Sequence, residues 1–505
     1  MKLQYLHPFL FAIAPVVFLW ERNFAEAPTR EAVPAMAVSF IFGALVFACV
    51  GLLYRNSKKA ALLTSALLFL SLFFDQLFFN SFTIRFMKHA WALSIVLIIA
   101  VLIGILLWRT KKDLIIPNKV LAAISGMFVL LSLVQLGTHF YKNMRTVDAL
   151  KQNKISIINT ENKEERGIPP DIYYIIFDEY AAPSTIKDVM GYEEAEEINV
   201  WLEDRGFFIP KESRSNYQTT KFSIPSSLNM RYLTDEEVKD KNALTRLTLD
   251  HSLKDALKAY GYNYINLGAK WVNYYNPFAD ENITYSHDYL SPFQTALWQL
   301  TVFSKAGAAL DKTLNIQTSP VLDERLMHWY NVQFKFDELA KISEREDGPN
   351  FVFAHFLLPH VPDAFDAEGN YVSRFKSAKL DSVKKYIDQV AFTNSKIKEL
   401  TEALIEKSET EPVIVMQGDH GWRVFADPMM MERFQLEPEQ GKALRYNIFN
   451  AYYLPNKGNE SLPLSMTPVN SFRTVLNYYF DQNLEFLEDI FYGVDSPDGP
   501  PRVYF

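Results

Sequence analysis

Three short polar clusters each follow a run of apolar residues. Asp178-Glu179-Tyr180 comes after Ile172 to Phe177, and Gln417-Gly418-Asp419-His420-Gly421 after Val413 to Met416. Pro359-His360-Val361-Pro362 follows Phe351 to Leu358. A carboxylate pair, an Asp-His pair and a further histidine supply the oxygen and nitrogen donors of a divalent-metal site. Singly each signal is weak, because an Asp at a strand end serves about as often as a helix cap. A lone histidine such as His355 fits a satisfied core position equally well. A fourth segment, Thr220-Lys221-Phe222-Ser223-Ile224-Pro225-Ser226-Ser227-Leu228, reads as a helix start with Ser223 as N-cap and Pro225 soon after it. The free amides of such a helix start also hold anionic groups.

The elements that must carry these residues can be read from periodicity. Ile172 to Phe177, Tyr264 to Leu267, Phe351 to Leu358, Val413 to Met416 and Ile448 to Leu454 are short and apolar throughout, which suits strands buried on both faces. Glu194 to Arg205, Leu249 to Tyr260 and Val383 to Lys407 have helical spacing, and in the last Ile387, Val390, Ile397, Leu400 and Leu404 can share a face. Strands alternating with helices imply an α/β domain with a mainly parallel sheet, whose ligands bind at the carboxyl ends of the strands. The polar clusters lie there.

The first 142 residues are of another kind. Five apolar stretches, Tyr5 to Trp20, Val33 to Tyr54, Ala60 to Asn80, Trp91 to Trp108 and Val120 to Tyr141, approach the ~20 residues that cross a bilayer, the first and fourth being short. Trp20, Tyr54, Trp91, Trp108 and Tyr141 mark their ends, at headgroup level. Pro8, Pro15 and the four further stretches argue that the first is a retained helix rather than a cleaved signal. Arg55, Lys58 and Lys59 follow the second stretch and Arg109, Lys111, Lys112 and Lys119 the fourth, against only Arg22, Arg30, Arg85 and Lys88 in the other loops. This bias puts the N-terminus in the cytoplasm and the C-terminal part outside, although Lys142, Arg145, Lys151 and Lys154 weigh the other way. Asp75 is either a functional intramembrane acid or a residue near the wet outer end of its helix.

The expected organisation is a bundle of about five transmembrane helices over 1–142, a polar linker over 143–168, an α/β catalytic domain over 169–485 and a tail over 486–505. A net charge of -8 provides no broad basic surface, which argues against nucleic acid as a partner. The single cysteine, Cys49, lies in an apolar run, so the soluble part has neither an internal disulfide nor a thiolate metal site. No P-loop or Gly-x-Ser-x-Gly elbow is present.

Together these residues resemble the alkaline phosphatase and sulfatase superfamily, particularly the membrane-bound phosphoglycerol and phosphoethanolamine transferases related to lipoteichoic acid synthase. The resemblance runs from about Asp171 to Pro455. It makes Asp178 the carboxylate after the first strand, and Asp419 and His420 the metal ligands of the late Asp-His-Gly motif. The family pattern Thr-x-x-Ser-x-Pro-Ser falls on Thr220 to Ser226 and makes Thr220 the nucleophile and a metal contact, with Thr219 as the alternative. Formylglycine sulfatases carry Cys or Ser there, with Pro and Arg two and four positions on. Thr220, Phe222 and Ile224 exclude that chemistry here, and Ser227 excludes it for a motif starting at Ser223. His360, in Pro-His-x-Pro, matches the segment that contacts the transferred group. Glu179 is a second metal ligand or a cap.

The resemblance implies one or two divalent ions (Zn, Mn, Mg or Ca) and transfer of a phospho-headgroup from a membrane lipid donor to an envelope glycan or lipid through phospho-Thr220. It implies a multi-pass protein of the cell (inner) membrane with its catalytic domain extracytoplasmic. A sulfatase-like hydrolase of sulfate or phosphate esters is the alternative, and an inactive receptor or scaffold is the alternative of another class.

Overall fold

A strand whose two faces are both covered needs apolar residues at every position, with odd and even side chains feeding different cores. That is how the soluble part is built. The computed structural model describes residues 3–503 apart from 25–26, 28, 79–88, 153–168, 270–273, 286–289, 315–323, 424–426 and 494–500. It divides into two units, Met1–Arg145 with Asp288–Leu322, and Thr146–His287 with Asp323–Phe505.

In the second unit the strands are β1 (Ile172–Phe177), β2 (Glu212–Ser213), β3 (Asn263–Leu267), β4 (Glu281–Asn282), β5 (Asn350–Phe356), β6 (Val413–Gly418), β7 (Asn450–Tyr453) and β8 (Ser465–Met466), followed by a short antiparallel pair, Tyr492–Gly493 with Arg502–Val503. Six form one sheet in the order β4-β3-β5-β1-β6-β7, parallel except for β7, which runs antiparallel to β6. Strands β2 and β8 make a separate parallel pair.

Tyr173, Ile175 and Phe177 of β1 join a core with Val352, Ala354, Ile414 and Met416. The alternate residues Ile172, Tyr174 and Ile176 join a second core with Phe351, Phe353, Val413 and Val415. The helix Ser382–Lys407 covers the first core with Val390, Ile397, Leu400 and Leu404, and Ile387 packs against it partly buried. The helices Thr220–Asn229, Ser252–Ala259 and Pro468–Phe480 cover the second. Each fully buried aliphatic or phenyl side chain contributes about 1.5–3 kcal/mol, so these two layers hold the strand ends rigidly.

The first unit is helical: His7–Arg22, Thr29–Tyr54, Ser57–Leu72, Phe74–Phe78, His89–Arg109 and the start of Ile115–Gln152. Three segments among the described residues, Thr29–Tyr54, Trp91–Arg109 and Ile115–Tyr141, are long and apolar enough to cross a membrane. The first and third of the five expected crossings form helices of 16 residues, about 24 Å long, short of the ~30 Å hydrocarbon core. A break at Phe73 ends the third helix, and Asp75 opens the short one that follows.

The last helix continues through Gln152, so the beginning of the stretch expected as linker is helical. Residues 153–168 of that linker, and the loop with Arg85 and Lys88, lie outside the described residues.

The segment Asp288–Leu322 interrupts the sequence of the second unit yet belongs to the helical one. Its helix Pro292–Gln299 seats Phe293 among Val16, Trp20, Ala32, Ala35 and Leu136. Lys305, in the helix Val302–Leu314, pairs with Asp75 at 3.1 Å, each side chain about one-fifth exposed. Asp75 is thus held by a cation, an arrangement that its own sequence neighbourhood does not announce.

Candidate active site

Strands β1 and β6 are parallel neighbours with Phe177 opposite Gly418, so the next residues, Asp178 and Asp419, emerge side by side at the carboxyl end of the sheet. Gly418 is needed there. A Cβ on it would stand 2.4 Å from the Tyr180 carbonyl oxygen, where the turn after β1 crosses. That turn is tight because Glu179 sits in the left-handed region at φ 62°. Its amide donates to Asp419 Oδ1 at 3.0 Å and its carbonyl accepts from the Tyr386 hydroxyl at 2.7 Å.

The Asp419 Oδ1 atom also accepts from the His420 amide at 2.9 Å, whereas Oδ2 is buried with no hydrogen-bond partner. Asp178 Oδ1 is in the same condition. The His420 Nδ1–H donates to the Gly421 carbonyl at 2.8 Å, which leaves the Nε2 lone pair free to act as a ligand. His420 Nε2 lies 3.6 Å from Asp419 Oδ2, 3.9 Å from Asp178 Oδ1 and 3.3 Å from Thr220 Oγ1.

Ligands at ~2.0–2.2 Å from one tetrahedral ion stand roughly 3.3–3.6 Å apart. The donor atoms of Asp178, Asp419 and His420 all lie within 4.8 Å of one another, all three residues buried. Two orphaned buried carboxylate oxygens and one directed imidazole nitrogen therefore fit a divalent cation.

Thr220 is the first residue of the helix Thr220–Asn229, and its N-cap is Thr219. The helix starts four residues before the position expected from Ser223 as cap. Ser223 has another partner: its hydroxyl donates to the Asp419 carbonyl at 2.6 Å, and Ser215 donates to the same oxygen at 2.5 Å. These two bonds tie the helix start to the Asp419-His420 loop and set Thr220 beside His420.

The remaining expected residues surround Asp178. His355, on β5 and fully buried, brings Nε2 to 3.3 Å from Asp178 Oδ2. The His360 amide donates to the Asp178 carbonyl at 3.1 Å, and its ring Nδ1 is bonded to the Val361 carbonyl. Burial pushes the Asp178 carboxyl up, but His360, His355 and His420 outweigh it and hold the group below the usual carboxylate range. Burial, and then Asp178 beside it, pushes Asp419 up. Burial lowers His360, yet Asp178 and Glu179 more than offset this, so its imidazole gains protons more readily than usual. Glu179 stands apart from the three-residue donor group, its Oε1 facing Arg423 at 3.5 Å and accepting from the Arg423 amide. Burial raises its pKa.

The sulfatase family model matches residues 205–470, more than half of the chain. The chain belongs to the sulfatase family. No curated protein matches the chain by sequence. Among solved structures this sulfatase-family chain is similar to the C-terminal periplasmic domain of EptC from Escherichia coli in complex with Zn. The identity is 10%, over 64% of this chain and 85% of that one, with a TM-score of 0.41. It is similar to the integral membrane lipooligosaccharide phosphoethanolamine transferase A of Neisseria meningitidis at 13% identity, 93% and 94% coverage and a TM-score of 0.38. The lipoteichoic acid synthase LtaP of Listeria monocytogenes follows at 12% identity, 68% and 80% coverage and a TM-score of 0.39.

Several residues that shape the site of this sulfatase-family enzyme had no signal in the sequence. Tyr386 and Gln389, on the helix Ser382–Lys407, hold the turns after β1 and β5. Gln389 Nε2 donates to the Pro359 carbonyl at 2.8 Å, while its Oε1 accepts from the Ala364 amide. Ser215 and Arg445 approach from loops remote in sequence. Only Arg423, close behind Asp-His-Gly, could have been flagged by position.

Proposed function

We propose that this sulfatase-family enzyme is a metal-dependent transferase that moves a phospho-headgroup of the phosphoglycerol or phosphoethanolamine type from a lipid to an envelope glycan or lipid. The observation that carries this reading is the hydroxyl of Thr220 at a helix start, 3.3 Å from His420 Nε2 and beside two unpartnered carboxylate oxygens. Asp178, Asp419 and His420, with Thr220 completing the set, would hold the divalent ion. When bound, such an ion makes a hydroxyl acidic enough to act as a nucleophile and offsets phosphoryl charge.

The chain's own groups do the rest. Thr220, its proton lost to solvent, attacks phosphorus in line as the bond to the diacylglycerol oxygen breaks. His360, whose protonation Asp178 and Glu179 favour, gives a proton to the departing oxygen. The positive end of the helix that begins at Thr220 favours the non-bridging oxygens. An acceptor hydroxyl, giving its proton to the now neutral His360, then displaces the Thr220 oxygen, which takes a proton from solvent. His355 orients Asp178, and Glu179 acts through Arg423 and the turn.

The topology we propose has five crossings, the two 16-residue helices being carried by longer neighbours with modest local thinning. Lys58 pairs with Asp113 at 2.6 Å, which supports putting the loops that carry Arg55, Lys59, Arg109 and Lys111 at one end, the cytoplasmic one. Phe293 and Lys305 pack at the other end, which supports an extracytoplasmic site for the catalytic sequence that flanks them. The test is to incubate the full chain with labelled phosphatidylglycerol or phosphatidylethanolamine and follow diacylglycerol. Rapid hydrolysis of soluble sulfate or phosphate esters with no diacylglycerol would replace the transferase by a hydrolase.

A further inference from the structure

Two arginines that take no part in the bond-making steps lie close to the Asp419-His420-Gly421 loop. Arg423 lies three residues past His420, its side chain 49% exposed and its Nε 3.5 Å from Glu179 Oε1. Arg445 is brought in by Gly421, whose amide donates to the Arg445 carbonyl at 2.7 Å. A Cβ on Gly421 would lie 2.6 Å from the Leu444 carbonyl oxygen and 2.8 Å from that of Asn447, so only glycine lets the 444–447 turn pack so closely under the metal-ligand loop. The guanidinium of Arg445 donates to the Gln218 carbonyl at 2.9 Å, two residues ahead of Thr220. Its Nε is buried and has no acceptor among the described residues.

A buried guanidinium N–H without an acceptor carries the full cost of its lost hydration, and such groups in native sites usually meet a ligand. The Arg423 side chain stands at Glu179, and Arg445 is held between the Gly421 amide and the Gln218 carbonyl, behind the Asp419-His420-Gly421 loop. An incoming ammonium would meet the positive charge of the guanidinium groups, with Glu179 already answering Arg423. A phosphate oxygen finds donors in place, and an uncharged hydroxyl meets no such repulsion.

We infer that Arg423, Arg445 and Glu179 form a headgroup subsite selective for a hydroxyl-bearing, ammonium-free phospho-headgroup, that is, phosphoglycerol over phosphoethanolamine. The inference rests on the transfer reading above and narrows its donor.

Two measurements on the full-length protein, loaded with Zn or Mn, separate the two claims. In the first, diacylglycerol release from vesicles of phosphatidylglycerol is compared with that from vesicles containing phosphatidylethanolamine. In the second, glycerol phosphate and phosphoethanolamine are titrated into the protein calorimetrically, which reads the subsite without turnover. Wild type should favour the glycerol compound in both by roughly tenfold or more, equivalent to about 1.4 kcal/mol. Arg423→Glu, at an exposed position that tolerates charge reversal, should abolish or invert that preference, and Arg423→Lys should keep most of it.

Glycerol phosphate binding that is selective and lost in Arg423→Glu, with no diacylglycerol from either lipid, would uphold the subsite and overturn the transfer. Transfer from both lipids at equal rates, a preference for the ethanolamine lipid, or an Arg423→Glu effect equal for both ligands would overturn the subsite and leave the transfer standing.

Discussion

Replacing Tyr386 with phenylalanine removes one oxygen and exposes how the turn after β1 is held. That hydroxyl donates to the Glu179 carbonyl at 2.7 Å and accepts from the Ala181 amide at 3.1 Å. The ring keeps its place against Trp422, 4.7 Å between centroids, so Tyr386→Phe changes hydrogen bonding rather than packing. Each orphaned buried backbone group costs about 1–3 kcal/mol, and a water in the vacated space can repair part of this. Two groups, partly repaired, give an expected destabilisation of about 2–4 kcal/mol.

The loss has a local signature. The Glu179 amide, 3.0 Å from Asp419 Oδ1, loosens with the turn, and a carboxylate of the proposed metal site loses a positioning bond. Loss of such outer partners typically weakens metal affinity ~10–100-fold. The assay is urea unfolding of the full-length protein followed at the catalytic unit, with hydrogen exchange read at the Ala181 amide and Zn affinity measured by competition. A change below about 0.5 kcal/mol, with Ala181 still protected and affinity unchanged, would refute the reasoning.

Other expectations follow from single contacts. Asp419→Asn should fold yet retain less than a tenth of the wild-type metal by elemental analysis, since it removes one of roughly three to four ligands. Gly418→Ala forces a Cβ to within 2.4 Å of the Tyr180 carbonyl and should cost about 1–3 kcal/mol with loss of activity; wild-type stability would contradict the crossing of the two turns. A double-mutant cycle on Asp75→Asn and Lys305→Met should return a coupling of about 1–2 kcal/mol, and a value near zero would show that the pair does not fasten residues 288–322 to the helical unit. A reporter fused after Phe505 should be active outside the cytoplasm only.

Legibility in the sequence followed the range of the interactions involved. Strands β1, β5 and β6 were readable because burial on both faces demands an unbroken apolar run, and the convergence of Asp178, Asp419 and His420 was readable because parallel strands deliver their next residues to one edge. The antiparallel β7 was not distinguishable, since its apolar run looks the same in either direction. Ser223 was misread as a cap because local sequence favours it. Its hydroxyl is spent on the Asp419 carbonyl, 196 positions away. Tyr386 and Arg445 belong to the same class, reaching the site from helices and turns whose approach only the folded chain determines. The 16-residue helices and the insertion 288–322 mark a further limit, because hydropathy registers apolar residues but not what covers them.

The central claim is that Thr220 carries the transferred group. The most direct measurement is rapid quenching of the metal-loaded enzyme with phosphatidylglycerol and phosphatidylethanolamine, followed by mass spectrometry of the Thr220 peptide. The account predicts a phospho-headgroup on Thr220 in step with diacylglycerol release, absent after chelation and in Thr220→Ala, whose metal content should stay near wild type. Diacylglycerol released at an undiminished rate by Thr220→Ala, or a modification found on Thr219 or Ser223 instead, would contradict it.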